Sequence, residues 1–306
     1  MSRFVADMWA LTKPEINFLI AITVLVGFLV ARHDLGLLSM LPALSAMVGT
    51  LLVSSGAAAL NQFIERKFDS RMRRTGRRPL VTGSVAPRSA LLFGSIVSIL
   101  GLFYLDLWVN HLSMLIAGIT LLMYLLAYTP LKRISPLCTL VGAIPGAAPP
   151  LIGWAAATGT LNPEAWALFA VLFLWQFPHF MAIAWMYRDD YERAGYQVLP
   201  GNKDRRRFPY QRAGYWILPG DKGRRLFAAL HAAIPAVILI PVSLLPWIGK
   251  QAGNLYLGGA IPLGIGFAWL AIRFGLKATN ITARQLLFAS IIYLPTIFIF
   301  LLLVKQ

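Results

Sequence analysis

The sequence predicts an all-α membrane protein with nine transmembrane helices, and two observations carry that prediction. Of 306 residues, 58% are hydrophobic and only 13% are charged, against about 45–50% and roughly 25% in soluble domains. The charges also fall in the gaps between nine long apolar runs, most of which approach the roughly 20 residues that a spanning helix needs.

In order, the runs lie near 16–31, 38–60, 89–108, 111–129, 137–156, 165–186, 227–248, 254–275 and 284–303. Hydrocarbon offers the backbone no hydrogen-bond partner, so only helices and closed barrels cross it. Barrel strands alternate over short segments, so these continuous runs are read as helices. An odd number of crossings sets the two termini on opposite sides. Proline and glycine inside the runs (Pro145, Gly146, Pro149, Pro150, Pro235, Pro241) predict kinks or cavity lining, and the fifth run is the least regular. The chain opens on MSRFVADMWALTKPEINF, without the short apolar region and small-residue cleavage site of a removable signal, so the first run is expected to be retained.

A net charge of +16 raises nucleic acid as a partner. Residues that bind nucleic acid cluster on one helix face or recur between aromatics, whereas these basic residues flank membrane spans, so no nucleic-acid partner is expected. The N-terminus and the loops after helices 2, 4, 6 and 8 hold most of the lysine and arginine, including Arg66, Lys67, Arg71, Arg73, Arg74, Arg77, Arg78 and Arg88 in one loop. The other side has little more than Arg32, Lys250 and Lys305. Positive charge stays inside, which puts the N-terminus and the basic loops in the cytoplasm. Lys277 and Arg284 are read as topology determinants only. Cys138 is the sole cysteine, so neither an intramolecular disulfide nor a cysteine-rich metal site can form; it reads as a small core residue.

Two loops, 62–88 and 187–226, exceed the roughly 12–15 residues beyond which connections are usually functional or disordered. The second contains a tandem repeat. YERAGYQVLPGNKDRRRF at 191–208 returns as YQRAGYWILPGDKGRRLF at 210–227, identical at twelve of eighteen positions with a period of nineteen. The pair is too short and isolated for a solenoid and reads as a local duplication.

The candidate chemistry begins with NQFIERKFDSRMRRTGRRPL at 61–80. If the second helix continues beyond the membrane, Asn61, Glu65 and Asp69 recur every fourth residue on one stripe about 12 Å long. Magnesium takes carboxylates together with substrate phosphate oxygens, and such a stripe could supply the carboxylates while nearby arginines meet the phosphates. Spacing alone fits equally well a helix end whose acids pair with neighbouring arginines, Asp69 with Arg73 at i+4 for example. The chain has only twelve acidic residues, however, and four more (Asp189, Asp190, Glu192, Asp204) cluster in the other long loop on the same side. Two acidic groups beside arginines read as halves of one metal and diphosphate site.

LTKP at 11–14, the 61–80 segment, YTPLKRISPLCTLVGAIPGAAPPLIGWAAATG at 128–159, LFLWQFPHFMAIAW at 172–185 and DYERAGYQVLP at 190–200 together resemble the UbiA superfamily of intramembrane prenyltransferases, in its heme-modifying branch. Residues after 228 match only as generic apolar helices. The resemblance implies nine helices around a central cavity with a cytoplasmic cap, in the plasma (inner) membrane. It implies Mg2+ held by Asn61, Glu65 and Asp69, with Asp190 and, more weakly, Asp189 from the second motif. Asn61, Glu65, Asp69 and Asp190 are then the catalytic set, and Lys13, Arg73, Arg77, Arg78, Lys132 and Arg133 the diphosphate-binding set. The implied reaction moves a farnesyl group from farnesyl diphosphate to a vinyl group of heme B, giving heme O, with a downstream heme A synthase or terminal oxidase assembly receiving the product.

His179, inside the sixth helix in WQFPHF, is a candidate for the heme iron or a propionate, since ionisable groups within a span are functional candidates; a histidine bonded to a neighbouring helix fits equally. His33, His111 and His231 read as interfacial, and Trp175, Trp185 and Tyr128 as cavity lining or packing without a catalytic role. The family carries the YxRAGYxxLPGxK segment once, so 209–227 is expected to be an insertion. Its copy has Pro209 where the first has Asp190. The alternatives are a prenyltransferase with a quinone precursor or other ring as acceptor, and a transporter. Against the transporter stand the lack of an inverted repeat and acidic groups at one surface instead of the midplane.

Overall fold

The computed structural model describes residues 3–32, 36, 40–200, 221–249 and 252–304. His33, Asp204, Lys250, Lys305 and residues 210–220 of the second repeat copy lie outside them. Nine helices among the described residues are long and apolar enough to span a membrane. A short helix, α1 (Arg3–Leu11), precedes α2 (Pro14–Ala31), α3 (Leu41–Asp69), α4 (Pro87–Trp108), α5 (His111–Leu131), α6 (Cys138–Thr158) and α7 (Pro163–Met186). After the brief α8 (Arg188–Ala194) come α9 (Asp221–Ile248), α10 (Asn254–Lys277) and α11 (Asn280–Leu303).

The spans match the apolar runs closely, with two extensions. α3 continues nine residues past its apolar stretch, carrying Asn61, Glu65 and Asp69 into buried positions. α9 begins six residues early: Asp221 sits in its first turn, where an acid complements the helix dipole, and Arg225 reaches back to it at 3.7 Å.

α2 to α6 form one half of the bundle, with α3 against α4 and α2 against the second half of α6, while α7, α9, α10 and α11 form the other. α7 packs on α6, and both α7 and α11 touch α2, which closes the ring. The span at Cys138–Thr158 is 72% buried and that at His111–Leu131 only 17%, so α6 is central and α5 faces lipid. α6 is broken at Ala148, where Pro149 and Pro150 start a second segment, Pro149–Thr158.

Lipid tails are as apolar as leucine, so spanning helices associate through small residues and close backbone approach. Gly27 of α2 and Gly153 of α6 face each other in this way: a Cβ on Gly153 would lie 1.8 Å from the Val24 carbonyl oxygen, and one on Gly27 2.1 Å from that of Pro150. Near the end of α5, Pro130 has no N–H to continue the α-helical ladder, and the preceding residues, Met123–Tyr128, form a π-helical turn. π turns inside α-helices occur frequently at functional sites.

Candidate functional site

At the end of the bundle bearing the basic loops, a cavity encloses about 880 Å³ of atom-free space, counting its open mouth. One wall is the stripe of α3, where Asn61, Glu65 and Asp69 all line the cavity. Opposite stand Lys13, Arg78 and Lys132, each from a different segment.

Their placement follows from local structure. Lys13 adopts a left-handed backbone, φ 52° and ψ 60°, between α1 and Pro14. A positive φ is uncommon outside glycine, and at Lys13 it turns the chain sharply between the two helices. Polar side chains from neighbouring helices secure the turn: Gln62 Nε2 donates to the Leu11 carbonyl at 2.9 Å, and Asn17 Nδ2 to that of Thr12 at 2.6 Å. Lys13 Nζ then donates to Asn61 Oδ1 at 3.1 Å. Asn61 Nδ2 in turn donates to Thr129 Oγ1 at 3.2 Å, beside the π turn.

The carboxylates of the stripe have partners of their own. Lys132 Nζ lies 2.9 Å from Glu65 Oε1, and an Arg78 guanidinium nitrogen 2.6 Å from Asp69 Oδ2. The i+4 pairing of Asp69 with Arg73 that spacing allowed is not what forms. The chain reverses after Asp69, with Thr75 Oγ1 donating to the Asp69 carbonyl at 3.0 Å, and this brings Arg78 back over the carboxylate. Burial opposes the charge on Lys132, but Tyr128 and Glu65 more than offset it and hold the ammonium well above its usual range. Lys13 is pushed down to about 7, by burial first and then by the neighbouring Arg78 and Lys132.

Three segments close over the cavity. Arg74 sets its guanidinium over Tyr187 and Tyr191, 5.1 and 5.9 Å from the ring centroids, and tethers the loop after α3 to α8. Gln197 N donates to the Lys132 carbonyl at 2.6 Å, and Phe68 packs against Tyr196 at 5.7 Å between centroids. Arg224 of α9 reaches the Pro200 carbonyl at 3.2 Å and Glu192 at 3.3 Å, so the closing part of the second repeat copy braces the first copy.

The candidates sort clearly by position. Lys13, Arg78 and Lys132 line the cavity, whereas Arg73 and Arg77 are exposed away from it and Arg133 stacks on Phe68, 4.8 Å from its centroid. Asp190 is buried but pairs with Arg193, three residues on. Asp189 is exposed, with Arg188 3.9 Å away. Neither aspartate lines the cavity. Lining residues not singled out from sequence include Arg74, Tyr124, Tyr191 and Tyr196; Tyr124 stands one turn before Tyr128, and that spacing on a helix was the available signal.

His179 sits on α7 beside α11. Its Nδ1 is 2.8 Å from Ser290 Oγ and its ring stacks on Trp175 at 4.9 Å. Because Ser290 Oγ already donates to the Leu287 carbonyl at 2.6 Å, it accepts from Nδ1–H, which leaves the Nε2 lone pair available. Trp175 Nε1 donates to the Ser290 carbonyl at 2.8 Å, Trp185 packs on Phe274, and Cys138 is buried at the cavity wall.

Among the described residues, no three His, Cys, Asp or Glu side chains converge as an all-protein metal cage. Two carboxylates and an amide on one cavity wall, facing cations, do fit a magnesium ion that arrives with a diphosphate. Magnesium commonly takes one or two carboxylates and completes its shell with water and substrate phosphates.

A family model described as the UbiA prenyltransferase family matches residues 20–292. A protoheme IX farnesyltransferase from Solibacter usitatus is 43% identical over 97% of this chain and 98% of its own length, and one from Koribacter versatilis is 41% identical over 99% and 94%. Among solved structures, a digeranylgeranylglyceryl phosphate synthase superposes with a TM-score of 0.74 at 18% identity, covering 99% of this chain and 98% of the other. A UbiA homologue from Archaeoglobus fulgidus bound to GPP and Mg2+ superposes with a TM-score of 0.61 at 15% identity, covering 96% and 99%. The chain belongs to the UbiA prenyltransferase family.

Proposed function

We propose that this prenyltransferase moves a farnesyl group from farnesyl diphosphate to a vinyl group of heme B, giving heme O, at the cavity walled by Asn61, Glu65 and Asp69. The names of its relatives support the acceptor, and the GPP and Mg2+ held by the Archaeoglobus fulgidus homologue support the donor class and the metal. One observation carries the reading: a stripe of two carboxylates and an amide faces Lys13, Arg78 and Lys132 across the cavity.

Asn61, Glu65 and Asp69 would hold Mg2+, which when bound neutralises charge on the departing diphosphate. To take the cation, the carboxylates release Lys132 and Arg78, and these two, with Lys13, then meet the phosphate oxygens. Aiming the charges of Arg78 and Lys132, and that of Lys13 once an anionic diphosphate favours its protonated form, at the charge that develops as the C–O bond breaks lowers the barrier to departure. Tyr124 and Tyr128, 5.4 Å apart between centroids, both line the cavity, and their rings are suited to stabilise an allylic cation, that of Tyr128 once the Lys132 ammonium, 4.5 Å from its centroid, has turned to the phosphates. The surrounding helices keep bulk water away until the vinyl carbon has attacked, after which one water supplies the new hydroxyl. Asp190 joins the metal set only by exchanging Arg193 for the cation. His179 does not line this cavity; it is the side chain that α7 would offer to the heme from beside α11, through Nε2.

The concentration of lysine and arginine in the loops around this cavity supports a cytoplasmic orientation for it in the plasma (inner) membrane, and a heme A synthase or terminal oxidase assembly is the recipient expected under this reading. The test is heme extraction from cells carrying the wild type or Asp69→Asn. Heme O is expected to fall by about 10²-fold or more in the variant at normal expression; unchanged heme O removes Asp69 from the site.

A further inference from the structure

Of the cavity-lining residues, Tyr196 is the one whose side-chain polar atom is both fully buried and without a partner among the described residues. The charged side chains there are already engaged: Lys13 bonds Asn61, Lys132 bonds Glu65, and Arg78 bonds Asp69. Tyr196 is 6% exposed and lines the same cavity, yet its hydroxyl has no hydrogen-bond partner among the described residues. Its ring is fixed on two sides, by Phe68 and by Tyr191 with centroids 6.1 Å apart, and its N–H donates to the Tyr191 carbonyl at 2.9 Å.

A buried hydroxyl without a partner is costly, and such a group in a folded protein calls for an explanation. Packing does not supply one, since phenylalanine fills nearly the same volume. Hydrogen bonding among the described residues does not either. What remains is an acceptor that arrives with the ligand. Burial first, then the Glu65 carboxylate, pushes the phenol well above its usual range, so the group stays protonated and can donate. The cations that surround it, with the Lys132 ammonium 6.0 Å from its ring centroid, favour an anionic acceptor.

Resting on the diphosphate reading of the cavity given above, we propose that the Tyr196 hydroxyl donates a hydrogen bond to a phosphate oxygen of the prenyl diphosphate. Tyr196 is thereby a substrate-binding residue contributed by the loop after α7. Unlike the lysines and arginines, it gives up no existing bond when the ligand enters.

The orphaned state predicts two effects of opposite sense in one variant. In Tyr196→Phe, the free protein loses no hydrogen bond, so its melting temperature without ligand stays level or rises. Magnesium-dependent binding of inorganic pyrophosphate, measured by calorimetry on the purified full chain, is expected to weaken about tenfold, the size of a hydrogen bond to a charged acceptor. Wild-type affinity in Tyr196→Phe overturns the proposal. A lowered melting temperature of the free variant overturns it too, since the hydroxyl is then bonded inside the fold. The parallel measurements on wild type and Asp69→Asn separate this from the broader reading. If the wild type itself does not bind pyrophosphate with magnesium, the diphosphate site fails and Tyr196 falls with it. If wild type binds and Asp69→Asn does not, while Tyr196→Phe is unchanged, only the Tyr196 assignment fails.

Discussion

Replacing Gly153 by alanine tests whether the close approach of α2 and α6 positions the site. The added Cβ would sit 1.8 Å from the Val24 carbonyl oxygen, where ordinary contact begins at 3.4 Å. The atoms it meets, the Val24 carbonyl and the Phe28 nitrogen, are helix backbone, so no side-chain rotation relieves the clash, and the helices must separate by about 1.6 Å. Overpacking of this kind costs about 1–3 kcal/mol. It also has a functional reach. α2 begins at Pro14, immediately after Lys13, whose Nζ lies 3.1 Å from Asn61 Oδ1. Displacing the helix by more than an ångström carries that ammonium out of hydrogen-bond distance, and misplacements of about 1 Å can lower turnover about 10²-fold. The assay pairs thermal unfolding of the detergent-purified protein with turnover of farnesyl diphosphate and heme B. Gly258→Ala is the control, because a Cβ there meets nothing within 4 Å. Wild-type melting and turnover in Gly153→Ala would refute the packing argument; a matching loss in Gly258→Ala would show that the effect is general to spanning glycines.

Two further predictions follow from the arrangement of the loops. Arg78→Gln removes the guanidinium on Asp69 from the cavity wall and is expected to raise KM for the prenyl diphosphate about tenfold or more, whereas Arg73→Gln, whose side chain is exposed outside the cavity, should leave KM within about twofold; steady-state kinetics of the two variants decides it. Deletion of 209–227 brings Asn202–Phe208 into the register now held by 221–227, with Arg205 replacing Arg224 as the brace on Glu192 and the Pro200 carbonyl, so heme O formation is expected to persist; a folded but inactive deletion variant would show that the second copy has been recruited.

The sequence by itself determined the nine crossings, because a spanning helix is a local property: about 20 apolar residues suffice whatever surrounds them. It also determined the stripe of Asn61, Glu65 and Asp69, since a period of four on a helix fixes one face, and the left-over acids drew attention to the loop after α7. Partners across the cavity were beyond it. Lys132 is 67 residues from Glu65, and Arg78 reaches Asp69 only because the chain reverses after α3, a turn that no helical spacing encodes. Arg73, Arg77, Arg78 and Arg133 look alike as letters in basic loops; only the folded loops decide which guanidinium lines the wall and which faces outward. The same holds for Asp190, which the fold gives to Arg193, and for Tyr196, whose missing partner is a fact about every neighbour at once. Periodicity and apolar run length are written along the chain, but a side chain's partner is set by segments far apart in sequence, and those distances exist only once the helices have packed.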